Sequence, residues 1–284
     1  MTRLAFVKLQ GLGNDFILAE GPALPAGTAL TDLARRLCDR HFGIGADGLI
    51  LRWPSQCGIA RMQIFNADGS EPEMCGNGLR CFVRYLQLQG LTAQKLQIET
   101  AAGLLAAEVR NESICVDMGQ PVLDPEKIPA RGFASPSVIA QPLQVDGQNF
   151  EVTLVSMGNP HCVIKVADLE QVDFARWGPR LEIHPAFPAR INVEFAQVLN
   201  PERVRVRVWE RGAGPTLACG TGACAVLVAG VLGGWLADRA EVRLPGGSLK
   251  IAWPQREGPV WMEGPAEPVF VGEIQLEANH GGSI

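Results

Sequence analysis

Two cysteines stand where a protein chain can turn a thiol into a reactive group. Cys75 precedes a Gly-Asn-Gly turn and Cys219 precedes a Gly-Thr-Gly turn, and an apolar, helix-like run follows each turn. A sulfur at a helix N-terminus lies near the positive end of the helix dipole and near unpaired backbone N–H groups, which favour the thiolate. The glycines let the same amides approach a small anion closely. Each motif therefore predicts a thiol beside a carboxylate-binding turn.

The two motifs are parts of a long internal repeat. Cys75 and Cys219 are 144 residues apart, and Asn66 corresponds to Glu210 at the same offset. A fixed self-similarity over more than a hundred residues indicates two copies of one supersecondary unit. Each copy is rich in strand patterns and has one long central helix, predicted at about 77–89 and 222–236. The pattern predicts an α+β fold of two pseudo-symmetric domains that arose by internal duplication.

Composition limits the classes of protein that remain. The chain has 284 residues, 19% of them charged, and a formal net charge of −5, which argues against nucleic-acid binding. Its eight cysteines are spread through a core-forming chain, and Met1-Thr2-Arg3 leads into a strand pattern, so we expect reduced thiols in the cytoplasm. Leu217–Ala237 is uncharged, but it opens on a glycine turn and contains three further glycines. We interpret it as a buried helix and predict no membrane span.

Two thiols suit the inversion of a stereocentre next to a carboxylate. A thiolate on one face of the α-carbon removes its proton, and a thiol on the other face returns one. The reverse reaction exchanges the two roles. Hydrogen-bond donors at the helix termini would stabilise the carbanion charge that spreads into the carboxylate. The pair would titrate as a unit, with one thiolate and one thiol. A pseudo-twofold relation would bring the two motifs face to face across the cleft between the domains.

Motifs along essentially the whole chain resemble those of the diaminopimelate epimerases. They are Gly11-x-Gly13-Asn14-Asp15-Phe16, Phe65-Asn66-Ala67-Asp68-Gly69-Ser70, Met74-Cys75-Gly76-Asn77-Gly78-x-Arg80-Cys81, Gly158-Asn159-Pro160-His161, Glu210-Arg211-Gly212 and Ala218-Cys219-Gly220-Thr221-Gly222-x-Cys224. The resemblance implies an epimerase without cofactor or metal that interconverts LL- and meso-diaminopimelate on the route to lysine and peptidoglycan precursors. It also implies a mostly antiparallel sheet wrapped around each central helix, and commonly a homodimer.

The resemblance also implies roles for individual residues. Cys75 and Cys219 are similar to the acid/base thiols, and His161 and Glu210 to the residues that support them. The predicted substrate-binding set, with the amide turns for the α-carboxylate, is Asn14, Asn66, Gly76, Asn77, Asn159, Asn192, Glu210, Arg211, Gly220 and Thr221. The predicted halves are residues 1–120, joined by a C-terminal strand at 266–284, and residues 121–265. Gly48 stands where many family members have Gln, so we expect a water or a neighbouring backbone group to replace that contact.

Several alternatives remain open at this stage. A proline or hydroxyproline racemase shares the two-thiol logic, although such enzymes usually have His where this chain has Asn77. A phenazine-type isomerase lacks the cysteine pair. A thiol redox sensor or an amino-acid-binding module would use the same motifs without proton transfer. Pyridoxal phosphate is not excluded, although none of the five lysines has a phosphate-binding context. We expect the other cysteines to be small core residues: Cys38, Cys57, Cys81, Cys115, Cys162 and Cys224. Phe270 is a candidate dimer contact.

Overall fold

A computed structural model describes residues 2–72, 74–133 and 136–276 of the chain. They divide into two compact units: unit 1 contains the residues up to Val116 together with those from Gly264 onward, and unit 2 is Asp117–Glu263. The boundaries predicted from the sequence lie at 120 and 265, and that assignment of domains stays a prediction. Residues 277–284 of the predicted C-terminal strand lie outside the described residues.

Among the described residues, each unit consists of strands and two α-helices. The first elements are β1 (Thr2–Gly11), β2 (Asn14–Glu20), α1 (Leu30–Cys38), β3 (Gly48–Trp53), β4 (Ala60–Asn66), α2 (Gly76–Leu88), β5 (Lys95–Thr100), β6 (Gly103–Arg110) and β7 (Ser113–Asp117). Unit 2 continues with β8 (Gln141–Val145), β9 (Gln148–Ser156), β10 (Pro160–Val166), α3 (Phe174–Glu182), β11 (Asn192–Asn200), β12 (Arg203–Glu210), β13 (Gly214–Thr216), α4 (Gly220–Leu232), β14 (Arg239–Leu244), β15 (Gly247–Ala252) and β16 (Trp261–Pro265). The last element is β17 (Glu267–Leu276).

The repeat in the sequence is a repeat in the structure. Helices α2 and α4 both have 13 residues and begin 144 residues apart, at Gly76 and Gly220. Strands β5 and β14 also begin 144 residues apart, at Lys95 and Arg239. The order of two strands, a helix, two strands, the central helix and a meander is common to both units, with β8 before it and β13 within it as additional strands of unit 2. The predicted α+β fold of two repeated domains is confirmed.

Strand pairing follows the same scheme in the two units. In unit 1 the order is β17-β1-β2-β3-β4-β5-β6-β7, with parallel pairs only at β2–β3 and β4–β5 among the described pairings. In unit 2 the order is β8-β9-β10-β11-β12-β14-β15-β16, with parallel pairs at β10–β11 and β12–β14. Parallel neighbours need a crossover, and a helix lies between the two strands of every parallel pair.

The central helices lie against these sheets. Helix α2 contacts β1, β2, β3 and β4, and α4 contacts β9, β10, β11, β14 and β15. Every residue of α4 except Thr221 and Leu232 is buried, which explains why the sequence around it carries no charge. A helix that is apolar on all sides is typical of a fully enclosed position. Among the residues that the structure describes, no helix is long and apolar enough to cross a membrane.

Two helix boundaries differ from the sequence-based expectation. Thr31, followed by Leu33 and Leu37 at i, i+4 spacing, predicts the N-cap of α1, but the helix begins at Leu30 and its N-cap, Ala29, has no side chain that can accept a hydrogen bond. The sequence also predicts a short helix at 172–177, whereas α3 runs from Phe174 to Glu182 because the Asp173 side chain caps it by accepting from the Arg176 N–H. Both differences concern surface helices, where local capping decides the boundary.

Two arginines of α2, Arg80 and Arg84, hold the segment that precedes β17 in unit 1. The Arg80 Nε donates to the Pro265 carbonyl oxygen at 3.1 Å, and the Arg84 Nε donates to the Ala266 carbonyl oxygen at 3.0 Å. Arg80 is completely buried. Helix α2 therefore fixes the segment that leads into the strand paired with β1.

We expect Arg80→Met to lower the free energy of unfolding by about 2–3 kcal/mol, because it removes a charge-assisted hydrogen bond and leaves a buried carbonyl without its donor. Urea unfolding followed by circular dichroism measures the change. Arg110→Ala is the control, since Arg110 forms a half-exposed pair with Glu108 that should contribute less than about 0.5 kcal/mol. Equal midpoints for the Arg80 variant and the wild type would contradict the prediction.

Candidate active site

The first cysteine motif forms the N-terminus of α2. Cys75 has an extended backbone and is the N-cap, and the Gly78 N–H donates to its Sγ at 3.4 Å. Gly78 also faces the core of unit 1, because a Cβ built there would lie 3.0 Å from Ile64 Cδ1 and 3.2 Å from Ile50 Cδ1. A side chain at this position would have to displace the ends of two core isoleucines, and the cysteine sulfur supplies an acceptor for one of the first amides of the helix.

Three predicted asparagines lie in unit 1, and two of them are in contact. The Asn77 Nδ2 donates to Asn14 Oδ1 at 3.3 Å, and the Asn14 Nδ2 donates to Asp47 Oδ2 at 2.7 Å. Asn77 is only 4% exposed, and its Oδ1 has no hydrogen-bond partner among the described residues. Asn66 instead donates to Ser70 Oγ at 2.9 Å, within its own loop. Asn14 and Asn77 thus form one polar group. Asn77 lies two residues after Cys75 in the sequence.

A charged network that the sequence analysis missed supports Asn14. Asp15 is paired with Lys8 at 2.8 Å and with Arg40 at 2.8 Å, and Arg40 also contacts Asp47 at 2.7 Å. Burial alone would raise the pKa of Asp15, but the hydrogen bonds and charges of Arg40 and Lys8 outweigh it and lower the pKa to about 2. Two carboxylates and two cations therefore fix the loop that presents Asn14.

Gly48 is a tight position in the backbone of β3. A Cβ there would lie 2.7 Å from the Phe65 carbonyl oxygen and 3.2 Å from the Phe16 ring. A larger side chain would require the neighbouring strand to shift. The replacement of the usual Gln contact by water or backbone stays a prediction.

The second cysteine motif forms the N-terminus of α4 and is more deeply buried. The Gly222 N–H donates to Cys219 Sγ at 3.3 Å, and Thr221 Oγ1 lies 3.4 Å from the same sulfur. Burial, followed by the charges of Glu210 and Glu194, raises the pKa of Cys219 well above the ordinary value. These effects outweigh the Thr221 hydroxyl and the Gly222 amide, which lower it. The amide at the helix start lowers the pKa of Cys219 as expected, but burial and the two carboxylates outweigh it, so the net direction is upward.

Glu210 is the carboxylate that accompanies Cys219. Burial is the main reason why the pKa of Glu210 is raised, and hydrogen bonds from Thr216 and from the Cys219 thiol oppose that effect. The Thr216 hydroxyl donates to Glu210 Oε1 at 2.6 Å. The next residue, Arg211, donates its backbone N–H to Asn192 Oδ1 at 2.9 Å, and the Asn192 Nδ2 donates to the Pro160 carbonyl oxygen at 2.7 Å. Asn192 thus ties the end of β12 to the start of β10.

His161 lies in a buried polar chain of unit 2. Its Nδ1 is 2.7 Å from Glu194 Oε1, and its Nε2 is 3.0 Å from Asn159 Oδ1. Neither His161 nor Glu194 is exposed. Glu194 was missed at the sequence level, although a signal existed: a single carboxylate interrupts the apolar run Val193-Glu194-Phe195 in a strand buried on both faces.

The remaining cysteines are thiols, and five of the six are buried as expected. Burial raises the pKa of Cys38 and of Cys81 to about 12, which makes both of them inert. The exception is Cys57, which was expected in the core but is exposed in the loop between β3 and β4. Among the described residues, no three His, Cys, Asp or Glu side chains are grouped so that they could hold a metal ion.

Solved structures of other proteins define the class of fold. A hydroxyproline epimerase from Agrobacterium vitis superposes with a TM-score of 0.68 at 16% identity, covering 99% of this chain and 93% of that one. A PhzF-family phenazine biosynthesis protein from Bacillus anthracis superposes with a TM-score of 0.69 at 16% identity, covering 97% of this chain and all of the other. At such low identity the likeness concerns the fold, a duplicated α+β architecture that these proteins share.

Within that class the sequence identifies the family. The family model described as diaminopimelate epimerase matches residues 6–123 and 153–269, one match for each copy of the repeat. A diaminopimelate epimerase of Desulforudis audaxviator is 55% identical over 95% of this chain and 99% of its own length. One of Prochlorococcus marinus is 52% identical over 96% of this chain and 93% of its own. The chain belongs to the diaminopimelate epimerase family.

The contact between Glu210 and Cys219 predicts the effect of a neutralising substitution. Glu210→Gln removes a negative charge that raises the pKa of Cys219, so more thiolate is present at neutral pH. We expect alkylation of Cys219 by iodoacetamide to be up to about tenfold faster, as one pKa unit would give. Mass spectrometry of the Cys219 peptide over time measures the rate. Glu20→Gln is the control, because Glu20 pairs with Arg52 and Tyr85 in unit 1. An unchanged or slower rate in Glu210→Gln would refute the electrostatic link.

Proposed function

We propose that this chain interconverts LL- and meso-diaminopimelate by proton transfer between its own thiols, Cys75 and Cys219, without a cofactor. One observation carries the proposal: each central helix of the repeat begins at a cysteine whose sulfur accepts the N–H of the third residue after it. Membership of the diaminopimelate epimerase family supports the substrate.

The first turn of each helix is suited to hold the α-carboxylate. The first four amides of a helix lack partners within the helix, and in α2 and α4 one of them is directed to sulfur. The amides of Gly76 and Asn77, and those of Gly220 and Thr221, remain to bind carboxylate oxygens. Donors in these places stabilise the charge that moves onto the carboxylate when the α-proton leaves.

The proton transfer uses the two sulfurs in complementary forms. A thiolate breaks the α-C–H bond and becomes a thiol, while the other thiol gives its proton to the opposite face of the carbanion and becomes a thiolate. No proton is gained or lost overall, and the reverse reaction starts from the protonation state that the forward one leaves. The raised pKa of Cys219 supports the assignment of that residue as the thiol of the resting pair.

The polar side chains around these turns would hold the rest of the substrate. We assign this role to Asn14, Asn66, Asn159, Asn192, Glu210 and Arg211. The contact of Asn14 with Asn77 and the contact of Arg211 with Asn192 support it, because each joins a member of the set to a neighbouring member. The substrate's distal end carries an ammonium and a carboxylate, which carboxylate and guanidinium groups recognise well.

The setting of the enzyme is part of the proposal. It acts in the cytoplasm, in the synthesis of lysine and peptidoglycan precursors, and forms a homodimer. Three consecutive apolar residues of β17 support self-association: Val269, Phe270 and Val271 are 54%, 45% and 75% exposed. Large apolar side chains that are exposed together on a strand favour association with a second surface.

Exchange of the α-proton tests the reaction directly. Reduced protein is incubated with meso-diaminopimelate in D2O, and the α-proton signal is followed by NMR. We expect exchange and epimerisation in the wild type and the loss of epimerisation in Cys75→Ala and in Cys219→Ala, because each variant lacks one of the two proton carriers.

Proline serves as the control substrate in the same experiment. Exchange with proline and not with diaminopimelate would assign the chain to the racemase chemistry. Absence of exchange with either substrate would refute proton transfer altogether.

A second prediction concerns the assembly. Phe270→Glu places a charge in the middle of the exposed apolar residues of β17 and should convert the dimer to a monomer, because burial of an unpaired charge opposes association. Sedimentation velocity measures the mass of the particle. Lys250→Glu, on β15 and largely exposed, is the charge-changing control. Unchanged sedimentation of Phe270→Glu would remove this strand from the interface.

A further inference from the structure

Glu194 is a buried carboxylate whose place in the strand is not required by the fold. It is completely buried on β11, and its Oε2 has no hydrogen-bond partner among the described residues. Burial of a charged group is costly unless a partner compensates it. Its one short contact is the 2.7 Å approach of Oε1 to His161 Nδ1.

The repeat supplies an internal comparison for this position. Glu194 pairs with Val163 of β10, and in unit 1 the corresponding strand residue, Ile50, pairs with Leu18 of β2. A Cβ on Gly222 would lie 2.8 Å from Glu194 Oε1, just as a Cβ on Gly78 would lie 3.2 Å from Ile50 Cδ1. The apolar side chain of Ile50 therefore fills, beneath the central helix of unit 1, the space that Glu194 fills in unit 2. The carboxylate in unit 2 serves something other than packing.

The hydrogen bonds of His161 indicate the role of the Glu194 carboxylate. Its Nδ1 faces Glu194 Oε1, and an ionised carboxylate accepts hydrogen bonds but cannot donate them. Its Nε2 faces Asn159 Oδ1 at 3.0 Å. A proton on Nδ1 satisfies the contact with the carboxylate and fixes the plane of the ring. The Asn159 Oδ1 atom can only accept, so Nε2 donates as well, and this geometry is satisfied when both ring nitrogens carry a proton. Asn159 belongs to the proposed substrate-binding set.

We propose that Glu194 is a positioning residue that holds the Nδ1 proton of His161 and keeps Nε2 directed towards Asn159. A carboxylate behind an imidazole sets its tautomer and orientation in many sites where the other nitrogen acts. The inference rests on the proposed function, because it assigns His161 a part in that reaction.

Titratable groups from several elements face Glu194. They are His161 and Cys162 on β10, Glu210 at the end of β12 and Cys219 at the start of α4. The charge of Glu194 raises the pKa of Cys219 together with that of Glu210, and it raises the pKa of Cys162 as well. Removal of the charge should therefore make Cys219 ionise at lower pH.

The test compares Glu194→Gln and Glu194→Ile with the wild type. The isoleucine copies the residue that unit 1 has at this register, and Glu20→Gln is the control for loss of a carboxylate elsewhere. NMR of protein with 15N-labelled histidine reports the proton on His161 Nδ1, assigned with His161→Gln, and the α-proton assay gives kcat and KM.

We expect both substitutions to shift or abolish the His161 Nδ1 proton signal and to lower kcat by about tenfold or more, with KM nearly unchanged. Cys219 should alkylate faster in Glu194→Gln, while Cys162 and Cys224 stay protected, which separates loss of charge from partial unfolding. If the isoleucine variant does not fold, the glutamine variant decides alone.

Three results would overturn the inference: an unchanged Nδ1 signal, a changed signal with wild-type kcat, or a loss of activity that only follows the loss of folded protein. A wild type that exchanges no α-proton would refute the proposed function instead. The Nδ1 signal of the variants would still decide whether Glu194 holds His161.

Discussion

The first amides of a buried helix need acceptors, and this requirement determines where the two sulfurs lie. Helix α4 is almost wholly enclosed, and the first five residues of α2 are also buried, so solvent cannot easily satisfy their N–H groups. In each unit a cysteine at the N-cap provides one acceptor. In the proposed function the neighbouring amides bind the substrate carboxylate. The position of each cysteine is a consequence of how each central helix begins within its sheet.

Much of the fold could be predicted because the strongest patterns are local and occur twice. The glycine turns predicted both central helices within one or two residues of their starts at Gly76 and Gly220. Strand β8 follows a segment rich in proline and glycine and has only five residues, so its local pattern is weak. Strand β2 begins at Asn14, directly after the first glycine turn. Strand β8 is stabilised by antiparallel pairing with the next strand, β9, and β2 pairs with its neighbours β1 and β3.

The motif residues of the site were predictable, whereas the residues that hold them were not. Arg40 reaches Asp15 across 25 residues and Glu194 reaches His161 across 33 residues, so neither contact has a short sequence signature. The protonation of Cys219 also depends on the fold. The helix start alone favours a thiolate, but burial and two carboxylates from separate strands reverse that preference. Such effects arise only when strands distant in sequence are brought together.

The two copies have the same backbone plan and different charges, and this difference suits the chemistry. Strand pairing in unit 2 places His161 opposite Asn192, and the corresponding pair in unit 1 is Phe16 and Gly48. Glu194 of unit 2 corresponds to Ile50 of unit 1. Two thiols in identical surroundings would compete equally for one proton. A two-base epimerase needs one thiol and one thiolate at every moment. The carboxylates beside Cys219 favour the proton on that sulfur, so divergence of the strands in unit 2 gives Cys219 electrostatic surroundings of its own. In the proposed two-base reaction, this makes Cys219 the thiol of the resting pair.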